Sequence, residues 1–371
     1  MNCETKYLKT WCSVDLDAIA HNYNYTKSRT GSRIICVVKA GAYGHGAVQV
    51  AKRLSDEGCD YFAVSSIEEA LELRLGGINA DILILGYVLP ERICEAIENG
   101  ISFACASYDF AKVLCSMPLK STAKIHIKLD TGMNRTGFNI CHSFGYGQLK
   151  AALDELKEKE NICIEGVFSH FAKADGDASF TEKQWGYFKN AVDFINENGV
   201  TPKILHICNS AGTYNYSSMH LDAVRVGVHL YGCESGGDKN YVQSMDFCTR
   251  IVDIHSLCEG DGVGYGQAFI ADREMKIAVI GAGYADGIFR CLSNGKGYVL
   301  IRGKKCPIIG RVCMDMTMVD VSAVKDACVG DVVTIWGKAL PTEEQAKNAG
   351  TISYELMCSV SPRVPRVYEN N

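Results

Sequence analysis

The feature that most constrains the fold is a regular alternation of short apolar runs with segments of helical spacing, continuing up to Tyr231. Eight runs are rich in β-branched and other apolar residues, and they cover 34–39, 61–65, 81–85, 101–106, 124–130, 162–170, 204–209 and 224–231. The segments between them carry helix signals, among them a capping box from Ser66 to Glu69 and a helix-starting Pro90. Eight strands with crossover helices are what a parallel (β/α)8 barrel, or TIM barrel, requires. The alternation alone also allows a doubly wound open sheet.

The chain changes character after Tyr231. A polar, glycine-containing stretch at 234–240 has the composition of a linker. The apolar runs beyond it are separated by glycine turns instead of long helices, and they cover 276–281, 298–302, 316–321 and 331–336. We therefore predict an α/β chain with two domains, an N-terminal TIM barrel over 1–235 and a mostly antiparallel β domain over 236–371.

Composition argues against several classes of partner. The 371 residues carry 38 basic and 43 acidic side chains, a formal net charge of -5, without a block of like charge, so nucleic acid and anionic membranes are not expected partners. No window approaches ~18 uncharged apolar residues and no secretion signal is evident, so no membrane partner is expected. Eighteen cysteines without a CxxC pair predict reduced thiols, no metal site and a cytoplasmic location.

Polar side chains lie at the ends of several predicted strands. They are Lys39, Lys128, Asp130, His170, Asn209 and Ser210. In a parallel barrel these strand ends carry the reactive groups. Lys39 precedes the loop AGAYGHG, and a desolvated lysine in such a place can form a Schiff base while the loop holds a phosphate. Taken singly, each residue has an ordinary alternative, such as a solvated lysine or a core histidine.

The run VVKAGAYGHGA resembles the pyridoxal-phosphate signature of bacterial alanine racemases. The resemblance continues through KLDTGMNRTGF, VFSHFAKAD, HICNSAG, VRVGVHLYG, GVGYGQAF, GAGYADG, GRVCMDM and ISYELMCSVSPRVPRVY. These motifs follow the family's order and span nearly the whole chain. The resemblance implies a fold-type III enzyme that interconverts L- and D-alanine, supplies D-alanine for peptidoglycan, and works as a head-to-tail homodimer with shared active sites.

The resemblance also implies a role for individual residues. Lys39 would hold pyridoxal 5'-phosphate and act as base on one face of the substrate Cα, and Tyr265 of the other subunit would act on the opposite face. Arg225 would face the pyridine nitrogen. In the implied relay Tyr265 contacts His170, His170 contacts Arg225, and Arg225 contacts His206. The remaining implied cofactor ligands are Tyr43, Asn209, Ser210, Gly227, Val228 and Tyr354. The substrate carboxylate would be bound by Arg135 and the Met314 amide. The implied supporting or gating residues are Lys128, often carbamylated in this family, and Asp175, Tyr284, Arg290, Arg311, Asp315 and Ile352.

Three other functions remain open at this point. A serine racemase resembling the soluble domains of vancomycin-resistance proteins shares the architecture, but those proteins typically have Asn at the position of Tyr354. A fold-type III decarboxylase would use a cysteine in the second domain, and Cys313 is the candidate. A cofactor-carrying protein without turnover would resemble single-domain pyridoxal-phosphate homeostasis proteins, which lack a counterpart of Tyr265.

Overall fold

The computed structural model describes residues 3–234 and 236–369. These residues form two compact units. The barrel unit contains residues 23–42 and 47–230, and the β unit contains the chain up to Asn22, residues 43–46 and the chain from Tyr231 onward. The domain boundary predicted between residues 235 and 236 stays a prediction.

Eight parallel strands form a nearly closed barrel, and we number them in chain order. They are Arg33–Val37, Tyr61–Val64, Asp81–Ile84, Ile101–Cys105, Ala123–Asp130, Ile162–Phe168, Ile204–His206 and Ala223–Val226. The eighth strand pairs with the first, with Ala223 opposite Arg33. Between the seventh and eighth strands, the Arg225 N–H donates to the Cys208 carbonyl at 2.9 Å. The predicted TIM barrel is therefore confirmed, and the open-sheet alternative is wrong.

Helices connect the barrel strands as the sequence predicts. The connecting helices are Ala47–Asp56, Ile67–Leu75, Ile93–Glu98, Tyr108–Ser116, Ser143–Leu156, Ala178–Glu197 and Ser210–Asn215, with 3-10 turns at Pro90–Arg92 and Ser217–Met219. The helix Leu16–Arg29 precedes the first barrel strand, and a 3-10 turn at Val228–Tyr231 follows the eighth. Ser66 caps the helix that follows the second strand, since its side chain accepts from the Glu69 N–H. A two-residue strand, Phe138–Asn139, pairs with the end of the fifth barrel strand.

The β unit is built on one eight-stranded sheet. In spatial order its strands are Met275–Ile280, Thr317–Asp320, Lys304–Ile309, Tyr298–Ile301, Val332–Trp336, Met245–Leu257, Thr10–Asp15 and Arg366–Glu369. Neighbouring strands are antiparallel except for the last pair, which is parallel. The long strand Met245–Leu257 also pairs with Met275–Ile280, which closes six of the strands into a ring. The predicted mostly antiparallel domain is confirmed.

The β unit contains a few smaller elements. They are the hairpin Gly262–Val263 with Phe269–Ile270, the helices Thr342–Ala349 and Ser353–Ser359, and 3-10 turns at Cys3–Tyr7, Tyr265–Gln267 and Arg290–Leu292. Val263 of this hairpin is buried in a small apolar cluster with Met275, Ile277 and Ile309. Within the described part of the chain, every helix is too short or too polar to traverse a bilayer.

Candidate active site

Lys39 begins an unusual backbone turn at the end of the first barrel strand. Ala40, Gly41, Ala42 and Tyr43 all have left-handed backbone angles, with φ values of 52°, 60°, 53° and 53°. This conformation costs roughly 1–2 kcal/mol for each residue other than glycine, so surrounding contacts must hold it. The Ala42 N–H donates to the Val38 carbonyl at 2.8 Å, which closes the turn. Sequence analysis located the loop but not its left-handed form.

The glycines after this turn are required by close approaches inside the β unit. A Cβ atom on Gly44 would lie 2.3 Å from the Met357 carbonyl oxygen, and one on Gly46 would lie 2.0 Å from the Tyr368 hydroxyl. Both positions also have positive φ values, 84° and 101°. The glycine-rich pattern therefore reflects close packing of the backbone as well as turn formation.

Tyr43 lies in an aromatic group of the β unit. Its ring centroid is 4.9 Å from that of Tyr231 and 6.3 Å from that of Tyr354, the latter in an edge-on arrangement. Burial raises the pKa of the Tyr43 phenol, so its hydroxyl stays protonated at neutral pH. Tyr43 and Tyr354, both predicted cofactor ligands, are thus brought close together.

Arg225 is the centre of a buried polar network in the barrel unit. It is 2% exposed, and burial lowers its pKa to about 10, which leaves the guanidinium charged at neutral pH. Its Nη1 donates to His206 Nδ1 at 2.7 Å, and its Nη2 donates to His170 Nδ1 at 3.1 Å and to the Ser169 carbonyl at 2.6 Å. The structure therefore brings together three of the four residues of the predicted relay.

The hydrogen bonds of Arg225 determine the protonation of both histidines. Because a guanidinium only donates, His170 and His206 must accept through Nδ1 and carry their protons on Nε2. Burial, followed by the charge of Arg225, lowers the pKa of each imidazole well below its usual range. The positive charge of the relay therefore resides on Arg225, and the two imidazoles are neutral.

Ser210 and Gly227 meet at the ends of the last two barrel strands. The Gly227 N–H donates to Ser210 Oγ at 3.0 Å. Asn209 caps the helix that begins at Ser210, since its side chain accepts from the Gly212 N–H at 2.9 Å. Val228 follows Gly227 at the start of a 3-10 turn. Two helical turns therefore begin beside one hydroxyl, a donor-rich arrangement suited to an anion.

The fifth barrel strand positions Lys128 and the loop that carries Arg135. Lys128 is 6% exposed, and burial, assisted by the charges of Arg225 and Arg135, lowers its pKa well below the usual range. The Asp130 carboxylate accepts from three loop N–H groups, those of Gly132, Asn134 and Arg135, at 2.9, 3.0 and 3.1 Å. Asp130 thus organises the turn that presents the exposed Arg135.

Met314 and Asp315 lie on a loop of the β unit that several contacts hold. The Ala285 N–H donates to the Met314 carbonyl at 3.0 Å. Arg363 joins Asp315 to the buried Asp286, with N–O distances of 2.8 Å on both sides. Sequence analysis did not identify Arg363 or Asp286 as supporting residues, although both lie in motifs quoted for the resemblance.

The other predicted site residues are exposed. Tyr265, 72% exposed, stands in the β unit after Gly264, whose φ is 69°. In the same unit the exposed predicted residues are Tyr284, Arg290, Arg311, Met314, Ile352 and Tyr354, and in the barrel unit Asp175 is exposed. Lys39 and Tyr265 belong to different units, and the roles assigned to all these residues stay predictions.

Comparison with known proteins identifies the family. Residues 14–235 match the family described as alanine racemase, N-terminal domain, and residues 244–368 match alanine racemase, C-terminal domain. The chain belongs to the alanine racemase family. Alanine racemase 2 of Caldanaerobacter subterraneus subsp. tengcongensis is 41% identical over 97% of this chain and 94% of its own length. The alanine racemase of Methanococcus maripaludis is 39% identical over 96% of this chain and 98% of its own.

Solved alanine racemases share the fold across their full length. The Clostridium difficile 630 enzyme has a TM-score of 0.92 and 36% identity, covering 98% of this chain and 97% of that one. The Bacillus anthracis enzyme, solved with bound L-Ala-P, has a TM-score of 0.92 and 34% identity, and the match covers 98% of this chain and 96% of that one. The predicted resemblance is confirmed. Because both racemase domains match, the single-domain and decarboxylase alternatives lose their support.

The polar network centred on Arg225 continues through the barrel, and this continuation was not predicted from the sequence. His126 Nδ1 lies 2.9 Å from His206 Nε2, and His126 Nε2 lies 3.1 Å from the Tyr61 hydroxyl and 3.4 Å from a Glu165 carboxylate oxygen. The sequence did contain a signal for His126. It lies two residues before Lys128 on the fifth strand, so the two side chains point to the same face. The network extends from Arg225 to the carboxylate of Glu165.

Proposed function

We propose that this chain interconverts L- and D-alanine with pyridoxal 5'-phosphate as its cofactor. Membership in the alanine racemase family supports the reaction. The observation that carries the proposal is the pairing of a lysine on a constrained turn with a buried, charged arginine in the same barrel, Lys39 and Arg225. This combination provides an amine for the cofactor aldehyde and a donor for its ring.

The donor set of the barrel unit fits this cofactor. Within the described residues, every side-chain hydrogen bond of Arg225 uses Nη1 or Nη2, so its Nε–H remains for a further acceptor. A pyridine nitrogen is such an acceptor. Ser210, with the N–H groups of Gly227 and Val228, would bind the phosphate, together with the hydroxyls of Tyr43 and Tyr354. Asn209 and His170 would contact the ring and its substituents.

Bound at these residues, the cofactor supplies delocalisation of the negative charge that develops at the substrate Cα. Arg225 limits that delocalisation. Because a guanidinium does not give up its proton at neutral pH, the acceptor it faces stays unprotonated. A charge that is weakly stabilised is short-lived, which favours return of a proton to Cα over transamination.

Two opposed acid/base groups are needed to invert Cα. Lys39 would take or give the proton on one face, and Tyr265 of a second subunit would do so on the other. The high exposure of Tyr265 on its own chain, 72%, supports its use by a partner. We therefore propose a homodimer with shared active sites. The neutral imidazole of His170 would donate its Nε2–H to the phenol oxygen and so stabilise the phenolate form.

The substrate carboxylate would be bound by Arg135 and the Met314 N–H. Asp130 supports the first group by ordering its loop, and Arg363 with Asp315 supports the second. Burial lowers the pKa of Lys128 well below its usual range, which increases the share of the neutral amine, the form that reacts with carbon dioxide. A carbamate there would place negative charge near Arg135 and orient it.

The substrate entrance would be lined by Asp175, Tyr284, Arg290, Arg311 and Ile352. We propose that the enzyme acts in the cytoplasm and that its product, D-alanine, is used for peptidoglycan.

Proton NMR in deuterated water tests this function. The cofactor-loaded protein is incubated separately with L-alanine and L-serine, and the products are resolved by chiral analysis. We expect deuterium at Cα and formation of the D-enantiomer, faster for alanine than for serine. Absence of exchange with both amino acids would contradict racemisation. A preference for serine would contradict the assignment of alanine, which rests on Tyr354.

A further inference from the structure

We propose that Glu69 is a positioning residue for Lys39, acting by holding the left-handed turn in place. This inference rests on the proposed function, in which Lys39 carries the cofactor and serves one face of the substrate. Glu69 lies on the helix after the second barrel strand, whereas Lys39 follows the first. Its sequence signature is that of a capping box, which by itself indicates only a helix start.

The Glu69 carboxylate bridges the ends of two neighbouring strands. One oxygen accepts from the Ala40 N–H at 2.6 Å, and the other accepts from the Ser65 N–H at 2.7 Å. Ser65 directly follows the second barrel strand, and Ala40 directly follows Lys39. A carboxylate accepts through both oxygens, and bonds to an ionised acceptor are stronger than neutral ones.

These bonds fix the backbone on both sides of Lys39. On the N-terminal side, the Val38 N–H donates to the Ala63 carbonyl at 2.9 Å, and the Val38 carbonyl accepts from Ala42 at 2.8 Å. On the C-terminal side, Glu69 holds the Ala40 N–H. The amine of Lys39 must approach one face of Cα, so the direction in which its side chain leaves the backbone matters to the reaction.

The turn needs such support because its conformation is unfavourable for alanine. Ala40 is exposed and has φ 52°, so burial of its methyl group contributes little to holding the left-handed geometry. Without the Glu69 bond, the residue would populate ordinary backbone conformations more often. Lys39 would then leave its working position for part of the time.

The variant E69Q tests the proposal, since a glutamine side chain has one acceptor oxygen for two N–H donors. The matched control is E68Q, because Glu68 is the neighbouring residue of the same helix and is paired at the surface with Arg92 at 3.1 Å. We expect faster amide hydrogen exchange in the peptide containing Ala40 for E69Q and not for E68Q. We expect kcat for alanine to fall roughly tenfold to a hundredfold, with KM changed by less than about threefold.

The two faces of Cα provide a readout that general loss of structure would not produce. The variant Y265F identifies the enantiomer whose Cα exchange depends on Lys39 alone. E69Q should slow exchange of that enantiomer at least about tenfold, and slow the other much less. Equal slowing of both, or of neither, would overturn the role of Glu69. If Y265F itself did not separate the enantiomers, the two-base function would fail independently of Glu69.

Relief of the turn's backbone strain provides a second test. Ala40→Gly removes the steric cost of the left-handed conformation, so this geometry depends less on the Glu69 bond. We expect the double variant E69Q/A40G to regain at least about threefold in kcat over E69Q. Absence of recovery would contradict the proposal. E69D keeps the charge on a shorter side chain that cannot reach both N–H groups, so it should resemble E69Q. Amide hydrogen exchange at the wild-type rate in the Ala40 peptide of E69D would also contradict the proposed bridge.

Discussion

Arg225 Nη1 donates to His206 Nδ1 at 2.7 Å, and this bond fixes the direction of every hydrogen bond beyond it. His206 must donate through Nε2 to His126 Nδ1, 2.9 Å away. His126 then donates through Nε2 towards Glu165 and Tyr61. Two neutral imidazoles therefore connect a buried cation to a carboxylate in one consistent orientation.

The histidines of this network should not titrate near neutrality. Burial, followed by the charge of Arg225, lowers the pKa of His170 and of His206 well below its usual range. Nitrogen-15 NMR of histidine-labelled protein should show these two imidazoles protonated on Nε2 and unchanged between about pH 5 and 8, where an ordinary histidine titrates. Protonation of either one in that range would contradict the neutral relay.

Glu165 should make stability depend on acidity. The hydrogen bond from His126 and the Lys124 ammonium hold its pKa well below the usual range, against the effect of burial. A carboxyl group whose pKa is lower in the folded state than in the unfolded state stabilises the fold when the pH is above the unfolded-state pKa. This stabilisation is lost as the pH falls towards the folded-state pKa. E165Q should cost about 2 kcal/mol in free energy of unfolding at pH 7, and much less at pH 3.

Urea unfolding at the two pH values measures this difference. The control is E182Q, since Glu182 lies on the exposed side of the helix Ala178–Glu197. The difference between wild type and E165Q should shrink as pH falls below about 4.5, the usual range of a glutamate. A cost that is the same at pH 7 and pH 3 would mean that the charge of Glu165 contributes nothing.

Asp130→Asn should weaken alanine binding more than it slows turnover. The amide cannot accept all three loop N–H bonds, so the loop that carries Arg135 should lose order. We expect KM for alanine to rise roughly fivefold to thirtyfold, with kcat reduced less. The control is D154N, which alters a surface ion pair with Lys150. A fall in kcat at unchanged KM would contradict this role.

Lys128 should take up carbon dioxide. Its buried amine has a pKa well below the usual range, and the neutral amine is the reactive form. Carbon-13 NMR of protein equilibrated with labelled bicarbonate should show one slowly exchanging carbamate signal, which K128R should lack. Arginine keeps a long cationic side chain but cannot be modified in this way. The same signal in K128R would assign the modification to another amine.

The barrel could be predicted because its signal is local. Each barrel strand overlaps one apolar run, and the predicted run at 101–106 contains the strand Ile101–Cys105. The strand Thr10–Asp15 was not predicted, because its partners, Met245–Leu257 and Arg366–Glu369, lie far along the chain. The long strand Met245–Leu257 was missed because its second half is largely exposed and polar.

Candidate site residues were predicted where residue type and motif both signalled chemistry. Lys39 and Arg225 are such predictions. Glu69 and Glu165 were not, since surface glutamates have the same sequence signature, and only the fold shows which N–H groups a carboxylate meets. The left-handed turn was hidden for a similar reason, because alanine at Ala40 and Ala42 does not favour positive φ.

The most direct test of the account is Cα exchange in the variant Y265F. Cofactor-loaded protein is incubated in deuterated water with L-alanine and with D-alanine separately, and Cα deuteration and racemisation are followed together. Two opposed bases predict that racemisation falls by about a hundredfold or more, while Lys39 still exchanges the Cα proton of one enantiomer. Racemisation at the wild-type rate, or equal exchange of both enantiomers, would contradict the two-base mechanism.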